Sequence, residues 1–404
     1  MIEYLYTENE VKEMWKRDYS TQVGVIQAKC IEAITHTHGQ VAVSFSGGKD
    51  SAVLLYLFAE MWSATSHKDQ PLKVFFANTT NEFIAMKPYI RKYIEYIEQK
   101  NGIKIDFQEV KSQYSYFQVV DMVGLPFVSK KVSRMVRDCK KVFKMLGYTY
   151  SDIEPILPKY YTPKHYDEML ASAKKLREMG FWNVIILYLT KITSQDKICE
   201  QRFFPVQYRP LIDFDEDFSE ECCTYLKKEP IKYASKELGK LLPVTGEMAS
   251  DSKDRMNSYR QTGCNMFEGK SRKSKPLGSV TEQTILHLIY DEQIPISPVY
   301  GECVCEGCEY RLTGEQRTGC KLCGFGLKFD PDRFIRLQRY EPQTVQFAFT
   351  SKENGGLGYK RVCEFLNEHC GMNIGIPDFE EGYYEKRAIA YKEKKERKDK
   401  NDEQ

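Results

Sequence analysis

Six consecutive residues, Ser46-Gly47-Gly48-Lys49-Asp50-Ser51, combine hydroxyls, glycines, an amine and a carboxylate in an order suited to a phosphate- or sulfate-bearing ligand. Adjacent glycines permit a tight turn in which several backbone N–H groups face one spot. A helix starting just after the turn directs the positive end of its dipole to the same place. Lys49 adds a mobile cation, and Ser44, Ser46 and Ser51 add hydroxyl donors. The Walker pattern requires four residues between its glycines, so this is a different phosphate loop.

Thiols form the second group with chemical potential. Of 13 cysteines, eight lie between Cys222 and Cys323. Neighbours on a helix point about 100° apart, so Cys222 and Cys223 can both reach one compact cluster but hardly each other. Far downstream, Cys320-Lys321-Leu322-Cys323 supplies a C-x-x-C hairpin, and these four thiolates suit a [4Fe–4S] cluster. A rival set is equally regular: Cys305-Glu306-Gly307-Cys308, eleven residues, then Cys320 and Cys323, the spacing of a structural zinc ribbon. The two sets compete for Cys320 and Cys323. Cys30, Cys139, Cys199, Cys264 and Cys363 read as small buried residues. Cys370, beside His369, is a candidate nucleophile set against a structural role.

The elements that must position these groups alternate in type. Thr7-Glu8-Asn9-Glu10 has the form of a capping box and opens a helix to about Asp18. A second amphipathic stretch, Val23 to His36, leads into a strand over Val41–Phe45, and Asp50 to Phe58 reads as helix. A strand over Leu72–Ala77, a helix over Met86–Gln99 and a strand over Ile103–Val110 follow. This alternation predicts βαβ units on a parallel sheet, with ligands outside the carboxyl ends of the strands, where Ser46 and Asn78 fall. Leu242–Met248 reads as a further strand that closes the sheet, His165–Met179 as helix, and Val184–Leu189 as an apolar run of undetermined type. Lys130, Arg134, Arg137 and Lys141 share one helix face; the alternatives are a solvated surface and contact with an anionic partner. The linear scheme is N-terminal helices over 1–37, a nucleotide-binding domain over 38–300 with an unassigned stretch at about 148–217, a cysteine-rich region over 301–391 and a disordered charged tail over 392–404.

Composition sets the limits. A chain of 404 residues with 42% hydrophobic and 29% charged residues has the make-up of a soluble globular protein. A formal net charge of +2 argues against a wholesale nucleic-acid binder. No segment approaches the roughly 20 apolar residues needed to span a bilayer. Glu3, Glu8, Glu10 and Lys12 rule out a signal peptide over Met1–Ser20, and a cytoplasmic location is expected.

The S-G-G-K-D-S motif resembles the PP-loop of the adenine nucleotide alpha hydrolase superfamily. Cys222 to Pro230, Gly246 to Arg255 and Arg317 to Gly326 resemble the phosphoadenosine phosphosulfate (PAPS) reductase family, in its bacterial and phage branch. With Pro126 to Lys131, Gly263 to Phe267 and Pro276 to Tyr300, the likeness spans roughly residues 38 to 345. It implies an α/β fold with a Rossmann-like parallel sheet and a cysteine-rich C-terminal region. It also implies an oxidoreductase or transferase that binds an adenine nucleotide, ATP or PAPS, with a thiol electron donor. The Cys-Cys pair and C-x-x-C that hold the cluster in assimilatory adenylylsulfate reductases map onto Cys222, Cys223, Cys320 and Cys323. The chain departs from the family in one respect: the C-terminal E-C-G-[LI]-H segment that carries the reductases' nucleophile is replaced by Glu368-His369-Cys370-Gly371.

The intact Lys-Asp of the loop is closer to members that cleave ATP between the α- and β-phosphates, including the ATP sulfurylase small subunit and the iron–sulfur sulfurtransferase of DNA phosphorothioation. In that chemistry Lys49 neutralises phosphate charge and Asp50 helps hold Mg²⁺. Ser46 and Ser51 orient oxygens, and the N–H groups of Gly47 and Gly48 stabilise developing charge. Asp251, Ser252 and Arg255 join the pocket's far edge, or else form a helix N-cap with a nearby arginine. Lys130 is a further nucleotide contact. Two readings of another class remain, a DNA-associated protein using the Lys130–Lys141 face and the Lys270–Lys275 loop, and a non-catalytic nucleotide sensor.

Overall fold

The computed structural model describes residues 4–231, 241–269 and 272–379. Its strands, in chain order, are β1 (Val41–Ser44), β2 (Leu72–Asn78), β3 (Ile105–Lys111), β4 (Phe127–Val128), β5 (Leu242–Val244), β6 (Asn265–Met266), β7 (Lys273–Ser274), β8 (Cys303–Glu306), β9 (Glu309–Leu312) and β10 (Gly324–Phe325). Residue contacts divide the chain into two units, 1–113 with 225–321 and 114–224 with 322–404. This division cuts across the linear scheme, because the stretch from 114 to 224 is inserted into the chain of the first unit. Two of the three crossings fall beside cysteine motifs: one directly after Cys223-Thr224, the other inside C-x-x-C, between Lys321 and Leu322. No described helix is long and apolar enough to cross a membrane.

The first unit is α/β. Its six-stranded sheet has the order β3-β2-β1-β5-β7-β6, and every pairing is parallel except β6 with β7. Val41, Ala42 and Val43 are buried, as a central strand covered on both faces requires. Helices Tyr19–His36, Lys49–Ser63 and Met86–Asn101 contribute Ile26, Leu54, Phe58, Ile90 and Ile97 to one core with Val43, Val74 and Val244. The capping box at Thr7 forms as expected: Glu10 N–H donates to Thr7 Oγ1, and Thr7 N–H donates to the Glu10 carboxylate. β1 lies between β2 and β5, so the chain moves outward on one side through β2 and β3 and later returns on the other. The crevice at the carboxyl ends of β1 and β5 is therefore the topological switch point.

One local expectation needs correction, and one undetermined run gains a type. The strand expected over Leu242–Met248 stops at Val244; Thr245 N–H still donates to Ser274 C=O, and Gly246 then passes against the backbone of Asp50 and Ser51. It does not close the sheet, since β7 and β6 extend it. The apolar run Val184–Leu189 belongs to a helix, Asn183–Thr190, with Trp182 at its N-cap and Lys191 ending it in the left-handed region. Lys270 and Ser271 of the basic loop and the tail 392–404 lie outside the described residues.

The second unit is mainly helical, with a short parallel pair, β4 and β10. Helix Lys130–Leu146 forms over the basic stretch, and most of its cations are engaged. Arg134 Nε donates to Glu220 Oε1 at 2.8 Å, and Arg137 reaches Glu220 at 3.2 Å and Glu221 at 3.0 Å. Lys131 and Lys140 donate to backbone carbonyls of Gln201 and Phe214, and Lys141 lies over the Trp182 ring. The basic face thus holds the acidic segment that leads into Cys222. A nucleic acid would compete for Arg134 and Arg137 with carboxylates already in place.

Candidate functional site

The phosphate loop occupies the switch point. Gly47 has φ of 76°, the left-handed conformation that glycine adopts without strain, and a Cβ there would stand 2.7 Å from Met86 Cε. Gly48 is the N-cap of helix Lys49–Ser63, which has no side-chain cap. Its space is walled by Ser46 Oγ, Tyr300 Oη and Thr318 Oγ1 at 3.3 to 3.5 Å from an added Cβ. Ser46 and Ser51 hydroxyls lie 3.0 Å apart; Ser51 donates to Gly48 C=O, and Gly48 N–H donates to Ser46 Oγ. The first internal helix bond runs from Ala52 N–H to Gly48 C=O, so the amides of Lys49, Asp50 and Ser51 have no intrahelical acceptor. That of Lys49 donates to Tyr300 Oη at 3.0 Å.

Lys49 is 4% exposed, and its Nζ sits 2.9 Å from Glu282 Oε1 and 3.2 Å from Asp50 Oδ1. Burial acts to lower the ammonium pKa, but the charges of Asp50 and Glu282 outweigh it and hold the group above its ordinary value. Burial pushes the Asp50 carboxyl up; Lys49 opposes this, and the nearby charges of Asp251 and Glu282 reinforce it. The loop therefore presents one buried cation within a group of three carboxylates.

Ser44 ends β1, beside Phe75 of β2. Asn78, at the end of β2, is 1% exposed; its amide donates to Glu109, and its Oδ1 accepts from Thr80 N–H, so it fixes the turn after the strand. Asp251 pairs with Arg255, and Ser252 caps helix Lys253–Thr262 by accepting from Arg255 N–H. The cap is thus realised, while the Asp251 charge still reaches Asp50. Lys130 is exposed and belongs to the second unit.

Sequence reading missed Glu282, Tyr300 and Thr318. Glu282 follows Thr281 at the start of helix Glu282–Asp291, an ordinary helix beginning with nothing to mark it as a partner of Lys49. Thr318 belongs to the R-T-G-C segment, and its hydroxyl lies 2.6 Å from Tyr300 Oη. Two residues on, Cys320 Sγ lies 3.7 Å from Thr79 Oγ1, and Lys321 N–H donates to Asn81 C=O. Arg317–Lys321 therefore crosses the carboxyl ends of β1 and β2 and brings a cysteine to the edge that holds the loop.

In the second unit, Tyr116 and Tyr359 are fully buried. Their hydroxyls stand 2.6 Å apart and lie 3.0 and 2.8 Å from Leu322 C=O, within the C-x-x-C. Burial, then neighbouring charges including those of Cys323 and Cys222, raises both phenols well above their usual range. Cys222, buried, and Cys323, partly buried, are thus both near this pair of phenols. Among the described residues, no set of three or more His, Cys, Asp or Glu is arranged to hold a metal ion. Cys305 and Cys308 are exposed on the β8–β9 hairpin. Cys370 is 2% exposed, and burial pushes its thiol up to about 12, the mark of a structural cysteine.

No curated protein matches the sequence. The crystal structure of phosphoadenylyl-sulfate (PAPS) reductase from Candida auris, as its phosphate complex, is 14% identical over 64% of this chain and 75% of that one, at a TM-score of 0.29; a likeness of that size carries no argument. The phosphoadenosine phosphosulfate reductase domain model matches residues 40–148 and 160–323, more than half of the sequence. On that match the chain belongs to the phosphoadenosine phosphosulfate reductase domain family.

Proposed function

We propose that this chain is an enzyme that binds an adenine nucleotide at Ser44–Ser51 and works in sulfur reduction or sulfur transfer. The observation that carries this reading is the meeting, at one sheet edge, of a buried lysine in a phosphate loop with the Thr318–Cys320 segment. Phosphate oxygens would take the amides of Asp50 and Ser51 and draw Lys49 Nζ away from Glu282. Gly47 and Gly48 leave room for that approach, and Ser46 and Ser51 supply hydroxyls.

We further propose that Cys222, Cys223, Cys320 and Cys323 hold a [4Fe–4S] cluster. When bound, the cluster would tune the electrostatics of the nucleotide site or supply electrons to the sulfur chemistry. Its support is the thiolate-only donor set and the placement of Cys222 and Cys323 near the same pair of phenols. Zinc on Cys305, Cys308, Cys320 and Cys323 is the competing assignment.

A second reading, ATP cleavage between the α- and β-phosphates, is favoured by Asp50 and Glu282 at Lys49. Mg²⁺ is usually held by one or two carboxylates together with substrate phosphates, and these side chains offer that number. Anaerobically purified protein incubated with ATP–Mg²⁺, and separately with PAPS and a thiol reductant, separates the two. Pyrophosphate release names ATP cleavage, and sulfite release names reduction. Nucleotide binding with neither product, in protein of full iron content, would overturn both and leave a sensor. Stoichiometric zinc without iron would overturn the cluster.

A further inference from the structure

The β8–β9 hairpin carries three cysteines in six residues, and they are not equivalent. Cys303 is partly buried and donates through Sγ to Leu286 C=O at 3.4 Å, tied to helix Glu282–Asp291. Cys305 and Cys308 are exposed. Glu306 pairs with Glu309 across a two-residue turn whose centres, Gly307 and Cys308, have φ of 58° and 72°. Positive φ at both centres is the type I′ hairpin turn, where glycine and asparagine are favoured and cysteine is not. The C-x-x-C spacing is thus kept against the preference of the backbone.

The base beneath the pair is stiff. Cys305 stands opposite Tyr310 in the register of the hairpin. The Tyr310 ring stacks on His287 at 4.4 Å, and His287 stacks on Tyr19 at 3.7 Å. The Gln283 side chain bonds to both the N–H and the C=O of Tyr310 at 2.9 Å. Among the described residues, no third His, Cys, Asp or Glu joins the pair in a group arranged to hold a metal.

We propose that Cys305 and Cys308 form a surface dithiol that exchanges electrons with low-molecular-weight thiols and disulfides. Cys305 thiolate attacks one sulfur of a disulfide, forming a mixed disulfide and expelling a thiolate that takes a proton from water. Cys308, its proton lost to water, then attacks Cys305 Sγ, expels the second thiolate and forms the Cys305–Cys308 bond. The pair gives up two electrons and two protons, and the disulfide substrate becomes two thiols. Excess thiol reverses both steps. This site stands whichever reaction the phosphate loop supports.

The test equilibrates the full-length protein in glutathione buffers of stepped reduced-to-oxidised ratio, quenches with acid, alkylates remaining thiols and sequences the peptide containing Cys303, Cys305 and Cys308 by mass spectrometry. The expected product is a Cys305–Cys308 disulfide that grows in reversibly as the ratio falls and is unchanged in Cys303→Ser. In Cys308→Ser, one glutathione should remain trapped on Cys305. Full alkylation of both thiols at every ratio, pairing of Cys303 with either of them, or stoichiometric zinc that shields both from alkylation would overturn the proposal.

Discussion

Replacing Lys49 with alanine removes two ion contacts in one step, and their separate worth can be read from exposure. The Glu282 side chain is 48% exposed, so water resolvates it at a cost of roughly 0–1 kcal/mol. The Asp50 side chain is 32% exposed, and burial already disfavours its charge; without Lys49 it faces only the negative Asp251 and Glu282. A net loss of about 1–2 kcal/mol of stability at neutral pH follows. That loss should shrink as pH falls, because Asp50, held above the usual carboxylate range, takes up a proton early and stops being an uncompensated charge.

The larger effect should be on ligand binding. A hydrogen bond to a charged group contributes about 1.5–3 kcal/mol, so nucleotide affinity should fall roughly 10- to 150-fold. Calorimetric titration with ATP and with adenosine 3′,5′-bisphosphate reads this directly, and urea melts confirm that the variant is folded. Glu282→Gln sharpens the test. In EDTA it should tighten binding a few-fold, because the lysine is no longer held by a carboxylate; with Mg²⁺ that gain should vanish if Glu282 shares the cation. Folded Lys49→Ala that binds within twofold of wild type, or Glu282→Gln that binds tenfold more weakly in EDTA, would refute the reasoning.

Two further expectations concern stability. Tyr116 and Tyr359 have one hydroxyl proton each and three contacts among themselves and Leu322 C=O, so either phenol can serve the carbonyl when the other is lost. Each single change to phenylalanine should cost about 1 kcal/mol in urea melts, and the double change more than the sum, since only then is a buried carbonyl left without these donors; strictly additive costs would count against this.

Lys275 is 2% exposed, donates to Thr262 Oγ1 at 2.8 Å, and is lowered to about 8 by burial and by the charge of Lys273. A lysine depressed on folding leaves the unfolded chain binding more protons between about pH 8 and its ordinary value, so stability should rise with pH across that window. Wild type should gain about 2 kcal/mol on Lys275→Met between pH 7.5 and 9.5, measured by urea melts at both. A gap that stays constant would show that the lysine does not titrate as placed.

Much of the first unit was legible in the chain because its signals are local. Alternating helical and strand periods, a capping box at Thr7 and a Gly-Gly turn between an apolar run and a helix depend only on neighbours in sequence, and the observed elements follow them closely. Asn78 was correctly placed at a strand's carboxyl end, yet its amide is spent on Glu109, a partner 31 residues away that no periodicity marks. The helix Asn183–Thr190 was not assigned because an eight-residue apolar segment has no period distinguishing it from a buried strand. The basic face of Lys130–Leu146 had the expected spacing, but its carboxylate neighbours could not be read from it, since Glu220 and Glu221 reach it only through the fold of the second unit.

The sequence alone determined that a Gly-Gly turn between a strand and a helix is built at Ser46–Ser51 and that the cysteines come in pairs, because both are patterns within a few residues. Tertiary structure decided what stands around Lys49. Glu282, Tyr300 and Thr318 lie more than 200 residues downstream in the chain, and only the parallel sheet, with its switch point between β1 and β5, sets them against the loop. Charge pairing and hydrogen bonding act over a few ångströms of space whatever the separation along the chain. The loop's place could therefore be read from its own residues, and its electrostatics only from its neighbours.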